Sequence, residues 1–295
     1  VTGLDLPTTD GSLGGLTREV ADLLRGRGVP TPGTEARDLV AAVLDRPRFW
    51  PVLHAAATPD SDTAARIHLA AARRAAGAPF AYAVGRACFR HLTLSVDERV
   101  LIPRPETEQL VELVLAHTRS GQEVADIGTG SGAIALSLAS ERRFGRVLAT
   151  DVSRDALHVA RSNARAVSAS LSVSVEFRCG SLLAPLADER FDAIVSNPPY
   201  IAPRELRDLP ASVRDWEPAQ ALLCAGDGLD VTEQIILQAP AFLRAGGLLA
   251  LELDSRRAQR SAEIARSSGA YRMVRVRRDL TGRDRFLLAT TLGVE

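Results

Sequence analysis

The sequence predicts an α/β protein in which a seven-stranded, mostly parallel sheet follows a small all-helical N-terminal domain and a β-hairpin linker. Three observations predict it. Apolar residues recur with helical spacing from Leu16 to about Ala76. Phe89, Leu92, Leu94 and Val96 are then spaced largely by two, the period of a strand. From residue 122 onward, strands and helical patterns alternate, which implies a parallel sheet covered on both faces.

Leu16, Val20, Leu23 and Leu24 share one helix face, as do Ala36, Leu39, Val40 and Leu44. Asp60-Ser61-Asp62 offers an N-cap to a third, Ala-rich helix, and Gly77-Ala78-Pro79 ends it. Residues 1–12 are polar and read as loose. The helical domain is therefore set at 1–78 and the hairpin linker at 79–106. The remaining segment, 107–295, opens with a helix from about Thr107 to His117. Its strands are read at Glu123–Ile127, Arg146–Thr150, Ser172–Arg178, Phe191–Ser196, Gly247–Leu253, Arg272–Arg277 and Arg285–Thr290, with helical patterns between the first five. The last two flank a turn at Asp279-Leu280-Thr281-Gly282, so a hairpin there adds an antiparallel edge.

A chain of 295 residues has room for two cores. With 46% hydrophobic and 24% charged residues it belongs to the soluble globular class. Thirty-six basic residues balance 36 acidic ones, which counts against a stable nucleic-acid binder with a phosphate footprint. Every basic residue is Arg, as a GC-biased genome would give. Cys88, Cys179 and Cys224 lack ligand spacing and read as reduced, mostly buried thiols of a cytoplasmic protein. No metal site, membrane span or signal peptide is expected.

Asp126-Ile127-Gly128-Thr129-Gly130-Ser131-Gly132 follows a strand and opens a helix. Glycines there permit a tight turn and close approach of a ligand to the backbone, as in Rossmann-like folds. The helix N-terminus offers free N–H groups to a carboxylate. The spacing is shorter than a dinucleotide fingerprint, so no pyrophosphate site is required. Asp151 ends the next strand, about 20 positions on, where a carboxylate can accept both ribose hydroxyls. Its plain alternative is a helix cap, but Ser153 suits that task better.

Asn197-Pro198-Pro199-Tyr200 stands at the carboxyl end of the strand Phe191–Ser196, the edge where open α/β sheets bind ligands. The two prolines fix the backbone, remove two N–H donors and leave their carbonyls as acceptors. A planar NH2 group could donate to the Asn197 side-chain oxygen and to the Pro198 carbonyl. Tyr200 could pack on the flat face of the same group.

These residues resemble the release-factor glutamine methyltransferases of HemK/PrmC type. The resemblance runs from about Tyr82 to Leu287. It rests on Leu101 to Glu108, Asp126 to Gly132, Asn163, Asn197 to Tyr200, Glu217-Pro218, Ala221-Leu222, Gly226 to Asp230, and Asp279, Gly282 and Asp284-Arg285. The tetrapeptide is shared with DNA adenine and ribosomal RNA methyltransferases; the Leu101–Glu108 segment is more specific. The resemblance implies a methyltransferase sheet that binds S-adenosyl-L-methionine through Asp126, Gly128, Thr129, Gly130, Ser131, Gly132, Asp151, Ser181, Leu182 and Asn197. It implies an acceptor held by Asn197, Pro198, Pro199, Tyr200, Arg104 and Glu217, with Asn197, Pro198 and Tyr200 catalytic. It also implies that the acceptor is the glutamine amide in the Gly-Gly-Gln loop of a class 1 peptide chain release factor, a partner that the N-terminal domain helps to hold.

The chain departs from the family pattern at Ser181, where a carboxylate is usual, at Cys88, where Glu is common, and at Asp254-Ser255-Arg256-Arg257, where a Gly and a Gln are usual. The departures leave room for a paralogue that methylates another peptide or a small molecule. An exocyclic base amine is a further acceptor class, and a non-catalytic binding module is the alternative outside enzymes. Arg104 with Glu106 reads equally as an ion pair bracing the linker.

Overall fold

The computed structural model describes residues 11–292. The polar segment read at 1–12 therefore falls outside it except for its last two residues. The chain divides into two compact units. One runs to Arg86 and takes in Ala211–Trp216; the other comprises Ala87–Pro210 and the chain from Glu217 onward.

The smaller unit holds α1 (Leu13–Gly26), α2 (Pro32–Leu44), α3 (Trp50–Leu53), α4 (Ser61–Ala75) and α5 (Phe80–Val84). Ser12 caps α1 and Asp60 caps α4, each accepting a backbone N–H of the first turn. Leu16, Val20, Leu24, Leu39, Val40 and Ile67 form its core, as the helical spacing requires. The spacing places residues 80–84 in the β linker, but they are helical. Five residues are too few to display a helical period.

The hairpin β1 (Arg86–Phe89) and β2 (Leu92–Ser95) follows, with all but Arg86 in the larger unit, then α6 (Pro105–His117). β3 (Glu123–Ile127), α7 (Ala133–Glu141), β4 (Arg146–Asp151), α8 (Arg154–Ala166), β5 (Val175–Cys179) and β6 (Phe191–Ser196) follow. The short α9 (Ala211–Arg214) lies in the segment assigned to the helical unit. Then come α10 (Ala219–Leu222), α11 (Asp230–Gln238), β7 (Leu243–Glu252), α12 (Ala258–Ser267), β8 (Tyr271–Arg278) and β9 (Asp284–Thr291).

The sheet has seven strands in the order β5-β4-β3-β6-β7-β9-β8. The first five are parallel, and β9 runs antiparallel to both neighbours. The expected terminal hairpin is present, with β9 inside and β8 at the edge. Val124, Ala125, Leu148, Ile194 and Leu249 are fully buried, because helices cover both faces of the parallel strands. Leu110, Val114, Leu136 and Leu138 fill one face; Ile235, Ile236, Ala258 and Ala262 fill the other.

Two expectations are corrected. No α-helix joins β5 to β6; a single 3-10 turn, Ala184–Leu186, does so. The chain folds back there so tightly that a Cβ on Gly180 would lie 2.5 Å from Pro185. Of the three cysteines only Cys224 is buried; Cys88 and Cys179 are exposed. Cys88 occupies the outward position of β1 just before the buried Phe89.

Candidate active site

β3 lies between β4 and β6, all parallel, and the strand order reverses between β3 and β6: β4 and β5 continue to one side, β6 and β7 to the other. Such a switch point opens a crevice at the carboxyl ends of the strands. A cavity of about 410 Å³ lies there, lined by Gly128, Gly130, Asp151, Ser181, Asn197 and Pro199 among others. That size suits a nucleoside-sized ligand.

The glycine loop is held from below. Gly128 and Thr129 donate their N–H groups to the Thr150 carbonyl at 2.9 and 2.8 Å. Gly128 and Gly130 have positive φ, 73° and 55°, which disfavours any side chain there. A Cβ built on either meets no protein atom within 4 Å, so the backbone is bare toward the crevice. Asp126 is fully buried and does not line the cavity. Its Oδ2 accepts from Thr129 Oγ1 at 2.6 Å and from the Ala135 N–H at 3.2 Å. Burial pushes its pKa up to about 7. Thr129 and Ser131 are buried too, and Gly132 precedes α7. Asp126, Thr129, Ser131 and Gly132 thus shape the loop, while Gly128 and Gly130 face the cavity.

Asp151 ends β4 and faces the cavity. The Gly130 and Ser153 N–H groups donate to its two oxygens, each at 2.9 Å, and burial raises its pKa. Each oxygen keeps a second lone pair for a ribose hydroxyl. Ser153 caps α8, as expected, accepting from the Ala156 N–H at 3.1 Å. Ser181 and Leu182 line the same cavity beyond β5. A bare glycine backbone, a carboxylate at the next strand end and this volume fit an adenosine-containing sulfonium cofactor.

Asn197, Pro198 and Pro199 line the cavity on its β6 side; Tyr200 is partly buried and does not. Burial and the nearby Glu252 push the Tyr200 phenol up to about 12, so it stays neutral. Asn197 Nδ2 donates to Thr107 Oγ1 at 3.2 Å, and Thr107 Oγ1 donates to Glu252 Oε2 at 2.7 Å. Thr107 and Glu252 went unremarked as site residues in the sequence. The available signal was an acid at the end of the apolar run of β7. Arg99 and Gln220 also line the cavity and were missed.

Arg104 pairs with Glu217 at 2.5 Å, not with Glu106, and Glu217 also accepts from the Ile102 N–H at 3.2 Å. Neither Arg104 nor Glu217 lines the cavity. The departure at Asp254–Arg257 is internally compensated. Arg257 Nη1 donates to Asp254 at 2.9 Å, Nη2 to Glu205 at 2.8 Å and Nε to the Asp227 carbonyl at 2.6 Å. It thereby ties the loop after Tyr200 to the end of β7. Gly228 is required beside it: with φ of 89°, a Cβ would lie 2.5 Å from the Tyr200 carbonyl.

A crevice at the carboxyl ends of the strands, lined by the glycine loop, Asp151 and Asn197-Pro198-Pro199, together with the family match defines the class: this is an S-adenosylmethionine-dependent methyltransferase. Residues 105–211 match the methyltransferase small domain, and residues 16–85 match the PrmC N-terminal domain. The release factor glutamine methyltransferase of Moorella thermoacetica is 44% identical over 92% of this chain and 95% of its own length. That of Deinococcus radiodurans is 40% identical over 94% of this chain and 98% of its own. The chain belongs to the release factor glutamine methyltransferase family. A methyltransferase from Pyrococcus furiosus shares the fold, with a TM-score of 0.51 and 20% identity over 80% of this chain and 100% of its own.

Proposed function

We propose that the protein methylates the side-chain amide nitrogen of the glutamine in the Gly-Gly-Gln loop of a class 1 peptide chain release factor, in the cytoplasm. The observation that carries the reading is Asn197-Pro198-Pro199 on the wall of the cavity that Gly128, Gly130 and Asp151 also line. Relatives named for that activity, matched over nearly their whole length, support the acceptor.

Gly128, Gly130, Asp151, Ser181 and Leu182 would hold the cofactor. When bound, S-adenosylmethionine supplies a methyl carbon made electrophilic by its sulfonium. The rest of the work falls to the chain. An amide nitrogen is a poor nucleophile, because its lone pair is delocalised into the carbonyl. Asn197 Oδ1 and the Pro198 carbonyl accept its two N–H groups and fix its direction. They also stabilise the positive charge that grows on it. Tyr200 packs against the planar group. The surplus proton leaves to water, so the tetrapeptide needs no basic side chain.

The test is label transfer from methyl-labelled cofactor to a release factor and to the same factor with its loop Gln replaced by Ala. Label on the first alone is expected. Label on both, or on neither, overturns the proposed acceptor.

A further inference from the structure

Asn197 can perform its role only if its amide faces one way. The Oδ1 and Nδ2 ends have nearly the same shape, and an amide turned around presents a donor to a donor. What fixes it lies behind the tetrapeptide.

Parallel pairing sets Ser196 opposite Leu251, so the next residues, Asn197 and Glu252, close the ends of adjacent strands. The first turn of α6 brings Thr107 to both: its Oγ1 lies 3.2 Å from Asn197 Nδ2 and 2.7 Å from Glu252 Oε2. Thr107 is 5% exposed and Glu252 is 1% exposed, so water does not compete for these bonds. A threonine hydroxyl has a single proton. Above the Glu252 pKa, which burial raises to about 7, the ionised carboxylate takes it, and the hydroxyl can then only accept from Asn197. Reversing the amide would set its oxygen against an oxygen with no proton to give, leaving buried acceptors unpaired.

We propose that Thr107 and Glu252 are positioning residues that fix the Asn197 amide with Nδ2 toward the protein and Oδ1 toward the acceptor nitrogen. The catalytic consequence rests on the reading that Asn197 accepts a hydrogen bond from that nitrogen; the orientation itself does not.

The chain contains only two asparagines, Asn163 and Asn197. Asparagine-selective 15N labelling of the full chain therefore yields two side-chain amide pairs. Asn163 serves as the internal reference, since its Nδ2 donates to the Ser95 and Ser131 carbonyls. In Thr107→Val the Asn197 pair should shift and lose its protection from exchange, while Asn163 stays in place. Thr107→Ser, which keeps the hydroxyl, should restore it. With saturating cofactor and release factor, kcat of Thr107→Val should fall about 10- to 100-fold, the range for lost support of a positioned group. Cofactor affinity should not change, and Thr107→Ser should recover most of the rate. Glu252→Gln, which can donate to Thr107, should lower kcat in the same direction.

An Asn197 resonance unmoved in Thr107→Val overturns the positioning role. So does a Thr107→Ser variant as slow as Thr107→Val, which would make the site one of packing alone. Failure of the acceptor reading looks different: the wild type itself would leave the release factor unlabelled, and the resonance arm would still decide the orientation.

Discussion

The loop Asp126–Gly132 and the tetrapeptide Asn197–Tyr200 end neighbouring strands of one sheet, yet they are held by different means. The loop is braced locally: Thr129 and Ala135 bind an aspartate three and nine residues away. What it offers the crevice is mostly backbone. The tetrapeptide offers a side chain, and that side chain leans on Thr107, 90 residues before it, which leans in turn on Glu252, 145 residues from Thr107 in the chain. A cofactor cradle made of backbone tolerates sequence change around it. An acceptor site made of one oriented amide does not. The departures from the family pattern, at Cys88, Ser181 and Asp254–Arg257, spare Asn197 and Thr107.

If this division is right, damage to the two regions should separate turnover from cofactor binding. Asn197→Ala carries the largest expected effect: turnover should drop about 100- to 1,000-fold, the cost of losing a preorganised polar group at a developing charge. Cofactor titration by calorimetry should barely change. A variant with wild-type turnover at saturating cofactor would remove the assigned role. Asp151→Ala should do the reverse. The loss of hydrogen bonds to a charged group weakens cofactor binding about 10- to 100-fold, with kcat largely recovered at saturation. Loss of kcat with unchanged affinity would break the comparison from the other side.

Each region also buries a carboxyl group whose pKa burial raises to about 7, Asp126 in one and Glu252 in the other. For Glu252, Arg104 and Arg285 oppose the rise and Glu106 adds to it. A folded-state pKa above the unfolded value means that the native state binds more protons in that interval. The stability these groups contribute is fully present below their ordinary values of 3.8 and 4.5 and is lost as pH rises through about 7. Asp126→Asn and Glu252→Gln should each flatten the decline in unfolding free energy between acid and neutral pH, measured by urea titration, by about 1–3 kcal/mol. Identical pH slopes in wild type and variants would refute that. The smallest effect is expected at Ser181→Asp. Restoring the carboxylate should tighten cofactor binding about 2- to 10-fold, one hydrogen bond's worth, and leave kcat alone. Weaker binding would show that the cavity has been rebuilt around the serine.

How much of this was legible varies with the range of the interaction. Glu123–Ile127 and Phe191–Ser196 were readable residue for residue, because an apolar run between punctuating polar residues is a local signal. β7 begins four residues before its expected start, since Arg244-Ala245-Gly246 does not look like strand and the pairing with β6 is irregular there. Sequence proximity misleads about Arg104 for a related reason. Glu106 is two residues away in sequence, in the first turn of α6, but the buried Glu217 takes the guanidinium. Asp254 and Arg257 look like two unrelated losses from a pattern until the fold shows them bonded to each other.

The sequence by itself determined most of the elements, the parallel sheet and the chemistry of its edge. Glycines at positive φ, an acid at a strand end and two prolines after an asparagine each act through their own backbone or their nearest neighbours. Only the tertiary structure decided which of those residues face the cavity, which brace it, and which way the Asn197 amide is turned. Those outcomes depend on hydrogen bonds between residues far apart in the chain. A single hydroxyl proton, committed to a carboxylate brought alongside by strand pairing, has no signature in the order of residues.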